Sequence, residues 1–352
     1  MGTTATVMGF VGGAYGFTQF LLRIPMGIGA DIWQKKFFIS FGCLCTALAA
    51  LCMLIFHNPV GFLAGRALGG VAASSWVPLS VLFSSYYKPE QATRSITLIN
   101  LANQIGRLSA FFIAGLLAAN FSIQSVFVLS AVGGFVGFII SLFAYEDKSS
   151  KEKKATSFRE LISAGKERSV LVPSILSVFV QVIAFATFTT FAANHAVTLG
   201  ATAMELGNLH VALLLPSILL SALLSKYILL KVNAKHLVVL GFIITAIYCV
   251  AVPFTTTIPQ LYIAQAVGGM GNTLTFSLLM GLSVQNIATE KRGAAMGFHQ
   301  AIYGIGMTVG PLIMGFLMDF MGLGFGFFTM AGLAVLSALG AVVFLRGANP
   351  RN

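Results

Sequence analysis

The sequence predicts an all-α, polytopic membrane protein with about eleven transmembrane helices in two bundles of five and six, related by an internal repeat. Its composition, its apolar runs and the positions of its basic residues predict this fold. Of the 352 residues, 57% are apolar and 9% are charged, against about 45–50% and 25% in soluble domains. So few charges cannot cover a soluble surface, which excludes a soluble enzyme, a disordered protein and a nucleic-acid-binding domain. The net charge of +11 therefore indicates basic loops at a membrane surface.

Each predicted helix is an apolar run, and about 20 such residues are needed to cross the ~30 Å hydrocarbon core of a bilayer. Short breaks with turn residues, such as His57-Asn58-Pro59, separate the runs. In chain order the eleven predicted spans are 5–30, 37–56, 59–85, 94–119, 122–144, 170–194, 204–230, 236–255, 259–284, 293–319 and 322–345.

The basic residues of this arrangement lie on one side of the membrane. Arg23, Arg66 and Arg107 lie inside spans, and the rest of the 21 lysines and arginines lie in alternate loops. By the positive-inside rule that side is cytoplasmic. We therefore expect a multi-pass protein of the plasma membrane with a cytoplasmic C-terminus. An odd number of spans then places the N-terminus outside.

One long, charged loop divides the chain. Within it, Ser157-Phe158-Arg159-Glu160 fits the capping box that starts a helix, and Phe158, Leu161 and Ile162 then share one face. We expect a short amphipathic helix on the cytoplasmic membrane face, with a flexible linker as the alternative. The predicted domains are an N-terminal bundle at 1–144, the loop at 145–169, a six-helix bundle at 170–346 and a cytoplasmic tail at 347–352.

The two bundles resemble each other at a nearly constant offset, the pattern of an internal repeat. The aligned pairs are Arg66 to Gly70 with Gln265 to Gly269 and Gly42 with Gly241, at an offset of 199 residues, and Gly106 with Gly306 at 200. Span 170–194, shifted back by 199 residues, has its counterpart before Met1. We therefore expect a six-plus-six arrangement of which this chain lacks the first helix.

Three segments carry a resemblance to a known family. Gly27-Ile28-Gly29-Ala30-Asp31-Ile32-Trp33-Gln34-Lys35-Lys36 is similar to the loop between the second and third helices of the major facilitator superfamily, although Ile32 and Gln34 replace a basic residue and a glycine. Arg66-x-x-x-Gly70 resembles its fourth-helix motif. Gly306-x-x-x-Gly310-Pro311-x-x-x-Gly315 resembles its Gly-Pro motif, here in the eleventh-helix position. The sequence thus resembles a drug/proton-antiporter-like member of that superfamily that lacks the first transmembrane helix.

The resemblance implies two bundles that rock about a substrate site at mid-membrane. It also assigns a gating loop and a helix-packing motif. The gating loop is Gly27, Asp31, Lys35 and Lys36, and the packing motif is Gly306, Gly310, Pro311 and Gly315. In the fifth-helix position, Ala110-Phe111 stands where exporters have Gly-Pro, which weakens the antiporter assignment.

Polar side chains inside the spans are candidates for the substrate and proton pathway, because charges and amides are costly in hydrocarbon. These candidates are Arg66, Asn103, Arg107, Gln181, Gln265 and Asn272. The alternative is that they hydrogen-bond neighbouring helices without touching substrate. His210 and His299 could also carry protons, and Arg23 lies near enough in sequence to Asp31 to pair with it.

We expect a secondary active transporter that moves a small organic solute by alternating access, coupled to protons. A drug-type antiporter is favoured over an anion importer, although the first-half spans contain three arginines and no buried acid, which points toward an anionic or neutral solute. The alternatives are a non-transporting sensor or receptor on the same fold, and an inactive truncated transporter.

The sequence shows no catalytic constellation, metal-ligand spacing or phosphate-binding motif, so we expect no enzyme activity, no metal and no cofactor. The expected partners are the small-molecule substrate, a proton or other coupling ion, and the lipid bilayer. We expect no nucleic acid, and a monomer.

Overall fold

The computed structural model describes residues 4–88, 91–146, 158–224, 232–285, 287–288 and 291–345, and the regular structure in these residues is helical. The α-helices are α1 (Ala5–Ile32), α2 (Lys35–Ile55), α3 (Pro59–Ser74), α4 (Trp76–Ser85), α5 (Ala92–Asn120), α6 (Ile123–Ser141), α7 (Phe158–Gly165), α8 (Arg168–Ala184), α9 (Ala192–Thr198), α10 (Ala203–Leu223), α11 (Ala234–Ala251), α12 (Ile258–Asn272), α13 (Leu278–Gln285) and α14 (Arg292–Phe344). π-Helical segments follow α8 (Phe185–Phe191) and α12 (Thr273–Ser277), and a 3₁₀ turn (Val252–Phe254) follows α11.

Ten stretches of the described chain are long and apolar enough to cross a membrane. The last is α14, whose 53 residues would extend about 80 Å at 1.5 Å per residue, far more than a bilayer is thick. Gly322 interrupts α14 with φ 82° and ψ 172°, a left-handed backbone that glycine adopts at little cost. Helix α14 therefore supplies two spans, and the predicted all-helical fold with about eleven spans is confirmed.

Three spans that the sequence predicts as continuous are interrupted: α3 gives way to α4 at Ser75, and π-helical segments join α8 to α9 and α12 to α13. The first π-helical segment has a local cause. The hydroxyl groups of Thr189 and Thr190 donate to the carbonyl oxygens of Ala184 (3.2 Å) and Phe185 (2.9 Å), five residues back. Such side-chain bonds compete with the regular ladder and favour a wider turn.

The internal repeat is visible in the helix packing. A Cβ atom added to Gly42 would lie 3.3 Å from the carbonyl oxygen of Ala72, and one added to Gly241 would lie 2.9 Å from that of Gly271. Each residue of the second contact lies 199 positions after its counterpart in the first. Helix α2 therefore packs on α3 as α11 packs on α12, and glycine in each pair permits the close approach.

A short helix, α7, lies in the second part of the central loop, and residues 147–157, which include Ser157 of the predicted capping box, lie outside the described residues. Leu161 and Ala164 of α7 are buried in a cluster with Ala294 and Ala295 of α14. The apolar side of α7 therefore rests on the second half of the protein and not only on lipid.

Candidate functional site

The first half of the chain, α1–α6, meets the second half, α8–α14, mainly along α1 and α14. The end of the bundle that carries Lys35, Lys36, Lys291 and Arg292 is called the basic end here, and the other end the opposite end. Helix α1 begins at the opposite end and α14 begins at the basic end, so the two helices run antiparallel.

Glycines on α1 bring its backbone against the backbone of α14. A Cβ atom on Gly13 would lie 2.7 Å from the carbonyl oxygen of Thr308, and one on Gly16 would lie 2.5 Å from the carbonyl carbon of Met307. Side chains larger than hydrogen have no room at these positions. The halves are therefore in close contact along the part of α1 nearer the opposite end.

A carboxylate of the second half caps the first helix of the first half. The backbone N–H groups of Ala5 and Thr6 donate to the two carboxylate oxygens of Asp319, each at 2.8 Å. The first N–H groups of a helix lack partners within it, and its N-terminus attracts negative charge. Asp319 therefore fastens the two halves together at the opposite end.

A second contact between the halves joins α5 to α10. The ring of Phe111 stacks on His210 with centroids 4.2 Å apart, and a Cβ on Gly115 would lie 3.3 Å from the Cα of Gly207. Both pairs lie toward the opposite end. Nearer the basic end of α5, Asn103 is exposed.

Two arginines lie between the halves beside tyrosines. Arg23 is 6% exposed, its Nη1 donates to the hydroxyl of Tyr303 at 2.9 Å, and its Nε has no hydrogen-bond partner among the described residues. The guanidinium carbon of Arg66 lies 4.8 Å from the ring centroid of Tyr15, a cation–π contact. Tyr15 in turn stacks on Phe185 of the second half, with centroids 6.0 Å apart.

A cavity of about 390 Å³ opens between α1, α3 and the first π-helical segment. Its walls are formed by Val7, Met8, Val11, Gly12, Pro59, Phe62, Arg66, Thr189 and Thr190. Arg66 is the one charged side chain among these described lining residues. A volume of this size suits a small organic molecule.

The structure places the six predicted pathway residues differently. Arg66 lines the cavity, whereas Asn103 and Arg107 lie exposed on α5. Gln265 is 1% exposed, and neither end of its amide has a partner among the described residues. Gln181 is buried and Asn272 is half-buried. The second-half amides Gln181, Gln265 and Asn272 are not among the cavity residues.

The predicted gating loop lies at the basic end. The backbone N–H groups of Lys35 and Lys36 donate to the two carboxylate oxygens of Glu146, at 3.1 and 3.0 Å, and Lys35 Nζ lies 3.6 Å from the same carboxylate. Gly27 packs at an ordinary distance from Val77. The side chain of Asp31 lies outside the described residues, so its predicted role stays a prediction.

The four residues of the predicted packing motif are buried and face two different helices. Gly306 and Gly310 lie against the backbone of α8, and Gly315 lies against the backbone of Ala5 in α1. The carbonyl group of Pro311 lies against Gly9 of α1. The motif thus joins α14 to a helix of its own half and to a helix of the other.

Several contributors were not singled out from the sequence. They are Tyr15, Tyr303, Asp319 as a helix cap, and Glu146. The tyrosines carry no distinguishing signal among the aromatic residues of the spans. Asp319 does carry a signal. It is an acid at the end of a span, and that end lies on the side of the bundle where α1 begins.

The sequence profile of the Major Facilitator Superfamily matches residues 1–207 and, again, 174–352. The chain belongs to the major facilitator superfamily. The two matches together cover its whole length, one for each half. It is accordingly a multi-pass membrane protein and a secondary transporter of small solutes, and the superfamily is one of transporters and not of enzymes.

Two relatives of this transporter cover most of it. An uncharacterised MFS-type transporter of Methanocaldococcus jannaschii is 24% identical over 335 residues, which are 92% of this chain and 85% of the relative. A hexuronate transporter of Bacillus subtilis is 22% identical over 372 residues, 97% of this chain and 86% of the relative.

The fold of this transporter is similar to that of a solved transporter structure. A bacterial homologue of the human lysosomal transporter Spinster, in an inward-facing and occupied conformation, superposes with a TM-score of 0.80 at 14% identity, covering 97% of this chain and 89% of the other.

Proposed function

We propose that the protein carries a small organic solute by alternating access, with residues 1–144 and 170–346 as the two rocking bundles and loop 145–169 as their connection. The observation that carries this proposal is the cavity of about 390 Å³ beside Arg66, at the contact between the halves. The contacts around it are small-residue packing and single hydrogen bonds, which two rigid bundles can break and remake. The Bacillus subtilis relative, named for hexuronate, supports a small organic solute.

The orientation we propose places the basic end in the cytoplasm and the C-terminal tail with it, in the plasma membrane. The described contacts of α5 with α10 and the Asp319 cap lie toward the opposite end. In this orientation the protein is closed toward the outside. We propose that it functions as a monomer, because the cavity is formed within one chain.

We also propose that transport is coupled to protons, as antiport or symport, through His210. Histidine titrates near neutral pH, and every acid of the sequence lies in a loop or at a span end. His210 stacks on Phe111 across the two halves, and Arg107 acts on it electrostatically. A proton gained or lost there would change the contact that must open. The drug-type antiporter predicted from the sequence remains one form of this proposal.

Reconstituted protein tests transport and coupling together. Proteoliposomes holding the full-length protein are given a mixture of cell metabolites, and their contents are measured by mass spectrometry with and without a pH gradient. We expect at least one solute to accumulate only with the gradient. His210→Gln should lose this accumulation but keep solute exchange without a gradient, while His236→Gln, exposed at the start of α11, should behave as wild type.

Binding of solutes without flux through the membrane would contradict transport and favour the sensor or receptor alternative. Gradient-driven accumulation that survives in His210→Gln would contradict coupling through this histidine and leave transport itself in place.

We further propose that a transmembrane helix preceding Ala5 completes the first bundle and seats against α5. The observation behind this is a difference between repeat partners. A Cβ on Gly306 of α14 would meet the backbone of Val178 and Val182 in α8, whereas the position on Gly106 of α5 has no atom within 4 Å. The repeat counterpart of α8 would cover this position.

A substitution at Gly106 tests whether a helix or lipid covers this position. In the full-length protein, Gly106→Leu should lower the unfolding temperature, because overpacking of a helix contact costs about 1–3 kcal/mol. The matched control is Gly133→Leu on α6. Gly133 and its repeat partner Gly332 both have no atom within 4 Å of a Cβ position, so the repeat predicts lipid there. Equal melting temperatures for the two variants would contradict the proposed helix.

A further inference from the structure

The spans hold positive charge without matching negative charge. Three arginines lie on the helices that surround the contact between the halves: Arg23 on α1, Arg66 on α3 and Arg107 on α5. The ten acidic residues of the sequence all lie in loops or at the ends of predicted spans. Two of these, Asp319 and Glu205, are engaged as helix caps at the opposite end. Among the side chains that the structure describes, no carboxylate forms an ion pair with these guanidinium groups.

A charge at membrane depth is costly, about 2.5–3.5 kcal/mol by insertion measurements, and such charges as a rule serve a function. Arg23 offsets part of its cost through the hydroxyl of Tyr303. The contact that we find for the Arg66 guanidinium is with the ring of Tyr15. Among the described residues, none accepts a hydrogen bond from it. The donors of Arg66 remain available to a ligand.

The N–H donors of the Arg66 guanidinium are not used by the described residues. Its carbon lies over the ring of Tyr15, a cation–π contact that needs no hydrogen bond, and the group carries five N–H donors. Two of them together match the two oxygens of a carboxylate. Arg66 lines the cavity, so a molecule in the cavity can reach these donors.

The rest of the cavity supplies a place for the body of such a molecule. Met8, Val11 and Phe62 present apolar surface. The hydroxyl oxygens of Thr189 and Thr190 donate within their own helix and keep lone pairs that accept hydrogen bonds. The repeat places the continuation of the proposed helix along this cavity, because Leu261, the partner of Phe62 at an offset of 199 residues, packs in one cluster with Phe188 and Phe191. In the full-length protein that helix would form a further wall of the cavity.

We infer that the transported solute is a small organic anion whose carboxylate pairs with Arg66 in this cavity, while Arg23 and Arg107 hold the surrounding potential positive. This rests on the proposed transport function and specifies its substrate class. A lipophilic cation, the cargo of a drug-type antiporter, would be repelled by the same three charges.

Matched pairs of probes test the inference, because each pair differs in charge and little in shape. The pairs are succinate with succinamide, benzoate with benzamide and D-gluconate with D-gluconamide, and tetraphenylphosphonium is the cation. Binding is measured by calorimetry and by thermal shift on the full-length protein in nanodiscs of phosphatidylcholine, a lipid without net charge. We expect at least one carboxylate to bind at least about tenfold more tightly than its amide, the size of a charge-assisted hydrogen bond.

Arg66→Gln should abolish this preference for the carboxylate. Arg159→Gln is the control, since it removes one positive charge from an exposed position on α7 and should leave the preference unchanged. Equal affinity for carboxylate and amide, preference for tetraphenylphosphonium, or no binding of any carboxylate would overturn the inference. Unchanged preference in Arg66→Gln would overturn the assignment to this residue.

Flux separates this inference from the function on which it rests. If a carboxylate binds through Arg66 but does not cross proteoliposome membranes, the result supports the anion site and contradicts the proposed transport function. If the protein carries a neutral or cationic solute from the metabolite mixture and no anion, the result supports transport and contradicts the inference of an anionic solute.

Discussion

Replacement of Gly16 by valine is expected to abolish transport while the protein still reaches the membrane. A Cβ at this position would lie 2.5 Å from the carbonyl carbon of Met307 and 2.6 Å from the backbone nitrogen of Thr308. Backbone atoms of a helix cannot turn aside as a side chain can. The added atoms must therefore hold α1 and α14 apart, and the state closed at the opposite end loses a close contact between the backbones of these helices.

The cost of such overpacking is about 1–3 kcal/mol, which shifts the balance between the two states by about fivefold to 150-fold. Spin labels at Val60 and Val197 measure that shift. These residues are 72% and 57% exposed near the opposite end, one in each half. We expect a longer distance between them in Gly16→Val, together with flux reduced at least about fivefold.

The control for this result is Gly133→Val. It makes the same change within an apolar helix, at a position where a Cβ meets no atom within 4 Å. Wild-type flux in Gly133→Val and in Gly16→Val alike would show that close approach of α1 and α14 is not needed for transport.

Asp319→Ala is expected to shift the same equilibrium by weakening the fastening between the halves. The substitution removes both acceptors of the N–H groups of Ala5 and Thr6. A lost helix cap destabilises the helix that it caps, and here that cost falls only on the state that is closed at the opposite end. The expected result is a larger population open at that end, seen as a second, longer distance between the same two labels.

Glu205→Ala separates this effect from the general loss of a cap. Glu205 accepts from the backbone N–H and the hydroxyl of Thr202 in its own helix, at 2.7 and 2.8 Å. It stabilises α10 in both states, so its removal should lower the unfolding temperature and leave the label distances unchanged. If the two variants change the distances equally, Asp319 is a helix cap and nothing more.

The two substitutions act on one contact in different ways. Gly16→Val adds volume inside the helix contact, whereas Asp319→Ala removes an attraction at its end. Both should open the protein at the opposite end, and only the first should prevent it from closing fully. Their combination should therefore resemble Gly16→Val, because the cap cannot form while the backbones are held apart.

The positions and number of the spans could be predicted from the sequence because they depend on apolar length alone. A gap was predicted between spans 293–319 and 322–345, and the structure places a non-helical residue, Gly322, directly after that gap. The π-helical segments were not predicted, because Thr189 and Thr190 read as ordinary members of an apolar run. Their effect depends on which carbonyl group each hydroxyl reaches.

The candidate site could be predicted only in part. Arg66 was a candidate because a charge inside a span is conspicuous, and it does line the cavity. The amides Gln181, Gln265 and Asn272 were chosen on the same ground but are not among the cavity residues. Tyr15 and Tyr303, which contact the arginines, were not candidates, because an aromatic residue inside a span is ordinary until its partner is known.

The sequence by itself determined that this protein lies in a membrane, the number and order of its spans and its internal repeat, because these depend on composition, apolar length and spacing along the chain. The tertiary structure alone decided which charges meet which partners. The carboxylate of Asp319 reaches the N–H groups of Ala5 and Thr6 across more than 300 residues of chain, and Arg66 lies over Tyr15 from another helix. The bilayer imposes helices on every apolar segment alike, whereas the pairing of polar groups depends on rotation and depth of packed helices, which no local pattern encodes.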